Sequence, residues 1–175
     1  MTEHKILFSG TTGAGKTTAI GQVSEIPPLS TDVRNTDTSL AKKMTTVGLD
    51  NGEKLRLYGT PGQQRFDFMW KILSRGALGL IILIDNRQPD PLGDLDVYVA
   101  GFKALIDKTA CVVAIGRMET HPEPDLERFT HHLQSLGVLC PVLAADVRDS
   151  AQVLQLLQLD AKAVEPDEQT TEAAC

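Results

Sequence analysis

"GTTGAGKT", residues 10–17, decides how the rest of this chain is read. It follows an apolar run, 4–9, and opens a segment of helical period, 16–25. Gly10, Gly13 and Gly15 permit a loop whose backbone N–H groups, Ala14 among them, turn inward toward anionic oxygens, and a helix starting near Lys16 aims the positive end of its dipole at the same point. The pattern G-x-x-x-x-G-K-[ST] between a strand and a helix therefore predicts a phosphate cradle. Lys16 brings a point charge for the β- and γ-phosphates of a nucleotide, Thr17 a hydroxyl for Mg²⁺, and Thr18 a further donor near the α-phosphate. Such a loop serves several chemistries, so the remaining residues must choose among them.

The chain has 175 residues, the size of one domain able to bury roughly two thirds of its unfolded surface. Seventeen basic against 23 acidic side chains give a net charge of −6, which disfavours a nucleic-acid surface. The longest apolar stretch lies within "ALGLIILI", 77–84, well short of the roughly 20 residues that span a bilayer, so no direct membrane insertion is expected. The opening "MTEHKILF" carries neither an export signal nor a myristoylation glycine, and a cytoplasmic location is expected. Cys111, Cys140 and Cys175 are too few and too scattered for a disulfide framework, and Cys175 is not set in a C-a-a-X box.

Strand-like runs at 4–9, 45–50, 53–58, 78–85, 110–115 and 141–145 alternate with helical periods at 16–25, 64–74, 94–106, 125–136 and 150–163. This alternation predicts an α/β fold in three layers, a six-stranded and mostly parallel sheet with helices on both faces. Asn51-Gly52 is a two-residue hairpin signal, so one strand is expected to run antiparallel at an edge. Leu95, Val99, Phe102 and Ile106 form one helical face, and Leu126, Phe129, Leu133 and Leu136 another, with Gly137 as a stop and Ser150 as a cap for the last helix. Residues 1–164 are read as the domain and 165–175, polar and acidic, as a loose tail. The stretch 26–44 has no period and reads as a long loop.

In a parallel α/β sheet the loops after the strands share one edge, so "LYGTPGQQRF", 57–66, emerges beside the phosphate cradle. Gly62 can then place its N–H on a third phosphate and relax when that phosphate is gone, while Gln63 can orient an attacking water. "FDFMW", 66–70, lies alongside and is either helix core or a partner surface. His121, His131 and His132 show no metal-ligand spacing.

Through "GTTGAGKTT", "TTVGLD", "LYGTPGQQRFDFMWKILSRGALG" and "ILIDN" the chain resembles small Ras-like P-loop GTPases over about 5–164, and more closely the bacterial gliding-motility type that works with roadblock-domain partners. The resemblance implies a P-loop NTPase fold, GTP or GDP as ligand, Mg²⁺ as cofactor and a protein regulator or effector. It implies that Thr46, with Thr45 as the adjacent candidate, closes on Mg²⁺ and the γ-phosphate, and that Gln63 is the hydrolytic glutamine. Two positions depart from the pattern. Gly59 stands where Asp-x-x-Gly would supply a carboxylate behind the metal, with Asp85 the nearest substitute; and "GRME", 116–119, stands where Asn-Lys-x-Asp would read guanine. There Arg117 can cover the base and Glu119 can accept from it, Gly116 supplies no side chain, and the Ala145 N–H in "AADVRD" can reach guanine O6. Arg34 and Arg65 are candidate charge donors. A slow regulatory GTPase is the leading expectation, a nucleotide-binding scaffold the alternative. A small-substrate kinase would want a basic lid, which the acidic "RQPDPLGDLDVYV" does not supply.

Overall fold

A computed structural model describes residues 3–11, 13–23, 44–48, 54–60 and 67–164. β1 (Glu3–Gly10) leads through the glycine loop into α1 (Lys16–Val23); then come β2 (Met44–Gly48), β3 (Lys54–Gly59), α2 (Asp67–Ser74) and β4 (Ala77–Asp85). α3 (Pro91–Gly101), α4 (Lys103–Ile106), β5 (Ala110–Gly116), α5 (Leu126–Ser135), β6 (Val142–Ala144) and α6 (Ser150–Val164) complete the described chain. The sheet order is β2-β3-β1-β4-β5-β6; β2 runs antiparallel to β3 and every other neighbouring pair is parallel.

The central strands are apolar on both sides because both faces are covered. Side chains alternate across the sheet, so Leu7, Leu80, Ile82, Val113 and Ile115 join one core layer and Ile6, Phe8, Ile81, Val112 and Ala114 the other. The first layer is roofed by Trp70, Tyr98, Phe102 and Phe129 from the helices. The second is closed by Ile20 of α1 with Val153, Leu156 and Leu157 of α6. Trp70 is 1% exposed and stacks on Tyr98 and Phe102 at centroid distances of 5.0 and 5.1 Å, so in "FDFMW" the tryptophan is core and not a partner surface.

Several local expectations change. The period at 94–106 is two helices, not one: Asp90 caps the first, its carboxylate accepting from Gly93 N–H at 3.0 Å, and Phe102 ends it while opening α4. The apolar face passes unbroken through that joint, which is why periodicity misses it. Leu136 closes α5 as its cap and is 38% exposed, whereas Phe129 and Leu133 are buried; Gly137 follows in left-handed conformation at φ 75°. At α6 the capping oxygen belongs to Asp149, which accepts from Ala151 N–H at 2.9 Å, and not to Ser150. The last strand occupies only Val142–Ala144. Asn51-Gly52, residues 24–25 and 64–66, and the segment 165–175 lie outside the described residues.

Candidate functional site

Gly10, Gly13 and Gly15 have φ of 149°, 85° and 102°, which L side chains rarely adopt. A Cβ at Gly10 would collide with the Leu83 carbonyl oxygen, and one at Gly15 would sit 2.6 Å from Val147 Cγ2, so the loop can lie flush against β4 and the segment after β6 only as glycine. The Ala14 N–H, expected to face an anion, instead closes a turn on the Thr11 carbonyl at 3.0 Å. Lys16 Nζ folds back to donate to the carbonyls of Gly10 and, at 3.1 Å, Thr11. Burial lowers its pKa to about 8, and an anion brought to the loop favours the charged form that desolvation disfavours. Thr17 and Thr18 are exposed at the start of α1. The cradle and its lysine thus fit phosphate.

The loop after β3 is fastened to this cradle at its first residue. Thr60 N–H donates to the Phe8 carbonyl at 2.9 Å, and its hydroxyl donates to Ser9 Oγ at 2.8 Å, both groups buried. Whatever Gly62 and Gln63 do, the chain reaches them from beside β1. Gly62, Gln63, Arg34 and Arg65 lie outside the described residues; Thr45 and Thr46 lie in β2, with side chains outside the description.

A cleft of about 410 Å³ opens between the ends of β4, β5 and β6, with Ala14 of the phosphate loop in its wall. Asp85, Arg117, Glu119, Asp146 and Arg148 line it. Arg117 is the one described non-glycine residue at positive φ, 69°, and its carbonyl accepts from the N–H groups of Thr120 and His121, turning the "GRME" loop back on itself. Asn86 holds that loop: its amide donates to the His121 carbonyl at 2.6 Å and to Pro124 at 3.2 Å, while its own N–H reaches Gly116.

Two of the three carboxylates are bound by their own arginines. Asp85 accepts from Arg87 N–H at 2.9 Å and from its guanidinium at 2.8 Å; burial would raise the Asp85 pKa, but these bonds outweigh it and hold the carboxyl below its usual range. Asp146 does the same with Arg148, at 2.9 Å from backbone N–H and from guanidinium, and the side-chain bond leads in drawing its pKa down to about 2. Glu119 is exposed, and close enough to Arg148 to raise the pKa of that guanidinium.

Two expected roles change. The Ala145 N–H donates to the Ile115 carbonyl at 3.0 Å, extending the β5–β6 ladder, so it is not available to a base oxygen. Asp85 points to the cleft side of β4 and is engaged by Arg87, which leaves it no part as a metal substitute. For Mg²⁺ the described residues offer the Thr17 hydroxyl, and no group of three His, Cys, Asp or Glu among them can hold a metal. No helix among the described residues is long and apolar enough to cross a membrane.

No protein-family model matches the chain. It is 25% identical over 115 residues to the GTP-binding protein ypt4 of Schizosaccharomyces pombe, covering 64% of this chain and 49% of that one. It is 33% identical over 150 residues to the Ras-related protein Rab-8A of Bos taurus and 27% to that of Gallus gallus, covering 85% of this chain and 59% of theirs. The chain thus spans about half the length of the curated relatives it matches. A chain of the bacterial selenocysteine-specific elongation factor EF-Sec superposes over 94% of this chain and 29% of its own at a TM-score of 0.67 and 16% identity, a likeness of fold. The sequence relatives are Ras-related and GTP-binding proteins at weak identity.

Proposed function

We propose that this chain is a small regulatory GTPase of the bacterial gliding-motility type, cytoplasmic, carried by a domain at 1–164, and acting through a roadblock-domain or similar protein partner. The observation that carries it is the positive-φ glycine loop around Lys16, sharing the wall of one cleft with Arg117 and Glu119. Phosphates and a base can be held side by side at those two places. The relatives named above support guanine nucleotide as the ligand.

Lys16 leaves the loop carbonyls for the β- and γ-phosphate oxygens. Thr17 and Thr46 are the residues that would hold Mg²⁺, whose chemistry is to neutralise charge on those oxygens. Gly62 N–H meets the γ-phosphate, so the segments around Thr46 and Gly62 order with GTP and relax with GDP. Gln63 orients a water whose oxygen bonds to the γ-phosphorus as the bond to the β–γ bridging oxygen breaks; GDP keeps that oxygen and phosphate departs. Over the base, Arg117 lays its guanidinium and Glu119 accepts from N1–H and the exocyclic amine.

One observation favours a second reading, a nucleotide-binding scaffold with negligible hydrolysis. β3 ends on Gly59 without a carboxylate, and Asp85 is bound to Arg87. Hydrolysis is accordingly proposed to be slow. Titration of GTP, GDP and ATP in Mg²⁺, followed by phosphate release from bound GTP, tests both readings. Tight GTP binding with slow release supports the GTPase, and binding with no release supports the scaffold. Equal affinity for ATP and GTP defeats the guanine assignment.

A further inference from the structure

At the opposite end of the sheet from the cleft, Cys111 is the second residue of β5 and Cys140 stands two residues before β6. The two strands pair in parallel with Val113 beside Val142, and Val113 N–H already reaches the Pro141 carbonyl at 2.9 Å. Continuing that register by two residues sets Cys140 beside Cys111. Alternation puts both on one face, and both pack against the layer that contains Val113 and Phe129. Neighbouring strands lie about 4.8 Å apart, inside the Cα separation of roughly 4.4–6.8 Å that a disulfide spans. Both cysteines are free; Cys111 is buried and Cys140 partly open, just before an edge strand and next to Leu139, which is 88% exposed.

We propose that Cys111 and Cys140 are a redox-reactive dithiol that a hydroperoxide converts to an intrachain disulfide, Cys140 being the thiol attacked by oxidant and Cys111 the one that resolves it. The register sets the two thiols within reach of one another. Hydrogen bonding between them, helped by burial, raises the Cys111 thiol well above its usual range and, against burial, lowers that of Cys140. The more open partner is thus the better thiolate and the buried one beside it is kept protonated, the division of labour a reversible thiol sensor needs.

In the first step the Cys140 thiolate bonds to one peroxide oxygen; the O–O bond breaks, and the other oxygen leaves as hydroxide or alkoxide and takes up a proton. Cys140 is then a sulfenic acid. In the second, Cys111 Sγ loses its proton and displaces the hydroxyl from Cys140 Sγ, forming S–S and releasing water. The two thiols together give up two electrons and two protons, and the peroxide is reduced to water, or to one alcohol and one water. A dithiol such as dithiothreitol reverses it by exchange.

The test uses the full chain with Cys175→Ser, treated with hydrogen peroxide. Thiols titrated after denaturation should fall from two to none, and the intact mass should drop by two hydrogens. Trypsin should release residues 109–117 joined to 129–148, the pieces cut at Lys108, Arg117, Arg128 and Arg148. Dithiothreitol should restore both thiols. Adding Cys111→Ala should stall Cys140 as a sulfenic acid captured by dimedone, and adding Cys140→Ser should leave Cys111 unreacted. Two thiols surviving the treatment, oxygen gained without joined peptides, or Cys111 oxidised as fast when Cys140 is serine would each overturn the proposal.

Discussion

Asp160 lies in α6 with its side chain wholly buried, and neither carboxylate oxygen makes a hydrogen bond of normal geometry. One oxygen is pressed onto Gly79 of β4 so closely that no Cβ fits there. Burial pushes the Asp160 pKa up to about 8, and the nearby Leu80 N–H offsets this only in part. An unfolded aspartate titrates near 3.9. Between roughly pH 4 and pH 8, then, the native state keeps a proton that the unfolded state has released, and stability falls as pH rises by up to about 1.4 kcal/mol per unit. The full window is worth on the order of 5 kcal/mol, an upper figure because a buried site relaxes. Asp160→Asn keeps the shape and removes the titration. Urea unfolding followed by the fluorescence of Trp70, the single tryptophan, should show the variant gaining on the parent as pH rises from 4 to 8. Any cost of burying the amide is independent of pH and drops out of that comparison. A stability difference that stays constant across the window would refute the reasoning, since it would mean that the native carboxylate is ionised or paired.

Lys16→Ala should weaken GTP binding about tenfold or more, a charge-assisted contact being worth roughly 1.5–3 kcal/mol, with unfolding little changed; unaltered titration would remove the phosphate assignment. Gln63→Leu should bind GTP as the parent does and release phosphate more slowly, since the glutamine acts on the water; equal single-turnover rates would show that another group positions it. Gly101→Ala should destabilise by about 1–3 kcal/mol, because a Cβ there would sit 2.6 Å from the Trp70 ring, and denaturant midpoints measure it. Glu119→Gln should cost GTP affinity and favour xanthosine triphosphate, whose oxygen at position 2 accepts from the new amide; an unchanged preference would take the base contact away from Glu119.

How much of this was legible depended on whether the signal was local. The phosphate loop could be read because its backbone needs φ values that only glycine adopts freely, and Gly10, Gly13 and Gly15 announce them. The alternating strands and helices could be read because the middle of β1 and nearly all of β4 and β5, covered on both faces, are apolar runs. The break at Phe102 could not, since Phe102 satisfies the apolar face and the joint at once. Nor could the fate of the Ala145 N–H, which depends on how far the ladder from Ile115 runs. Thr60 and Asn86 were invisible as fasteners because their partners, Ser9 and the carbonyls of His121 and Pro124, lie 35 to 51 residues away in sequence. Cys111 and Cys140 look scattered for the same reason: a parallel pair is joined by a crossover, here through α5, and 28 residues of chain intervene between neighbours in space.

The cleft adds a reason for the choice of carboxylate that the "GRME" loop alone cannot give. Asp85 and Asp146 stand at the ends of β4 and of the segment after β6, one on each side of the β5 loop, and each is followed two residues later by an arginine that takes its oxygens. A base entering between them meets two carboxylates whose lone pairs and charge are already spent on guanidinium groups. Glu119 differs: among the described residues no hydrogen bond holds its side chain, although Arg117 and Arg148 line the same cleft. The arginine pairing therefore keeps the cleft from presenting three competing anions. In the proposed function, selectivity for a base with two adjacent donors would rest on Glu119 alone, with no carboxamide at Gly116 to supplement it. A Cβ at Gly116 would meet nothing nearer than the Ile84 carbonyl oxygen at 3.6 Å, so steric exclusion does not account for the glycine. The lack of a side chain at position 116 is a property of this sequence and not a demand of its fold.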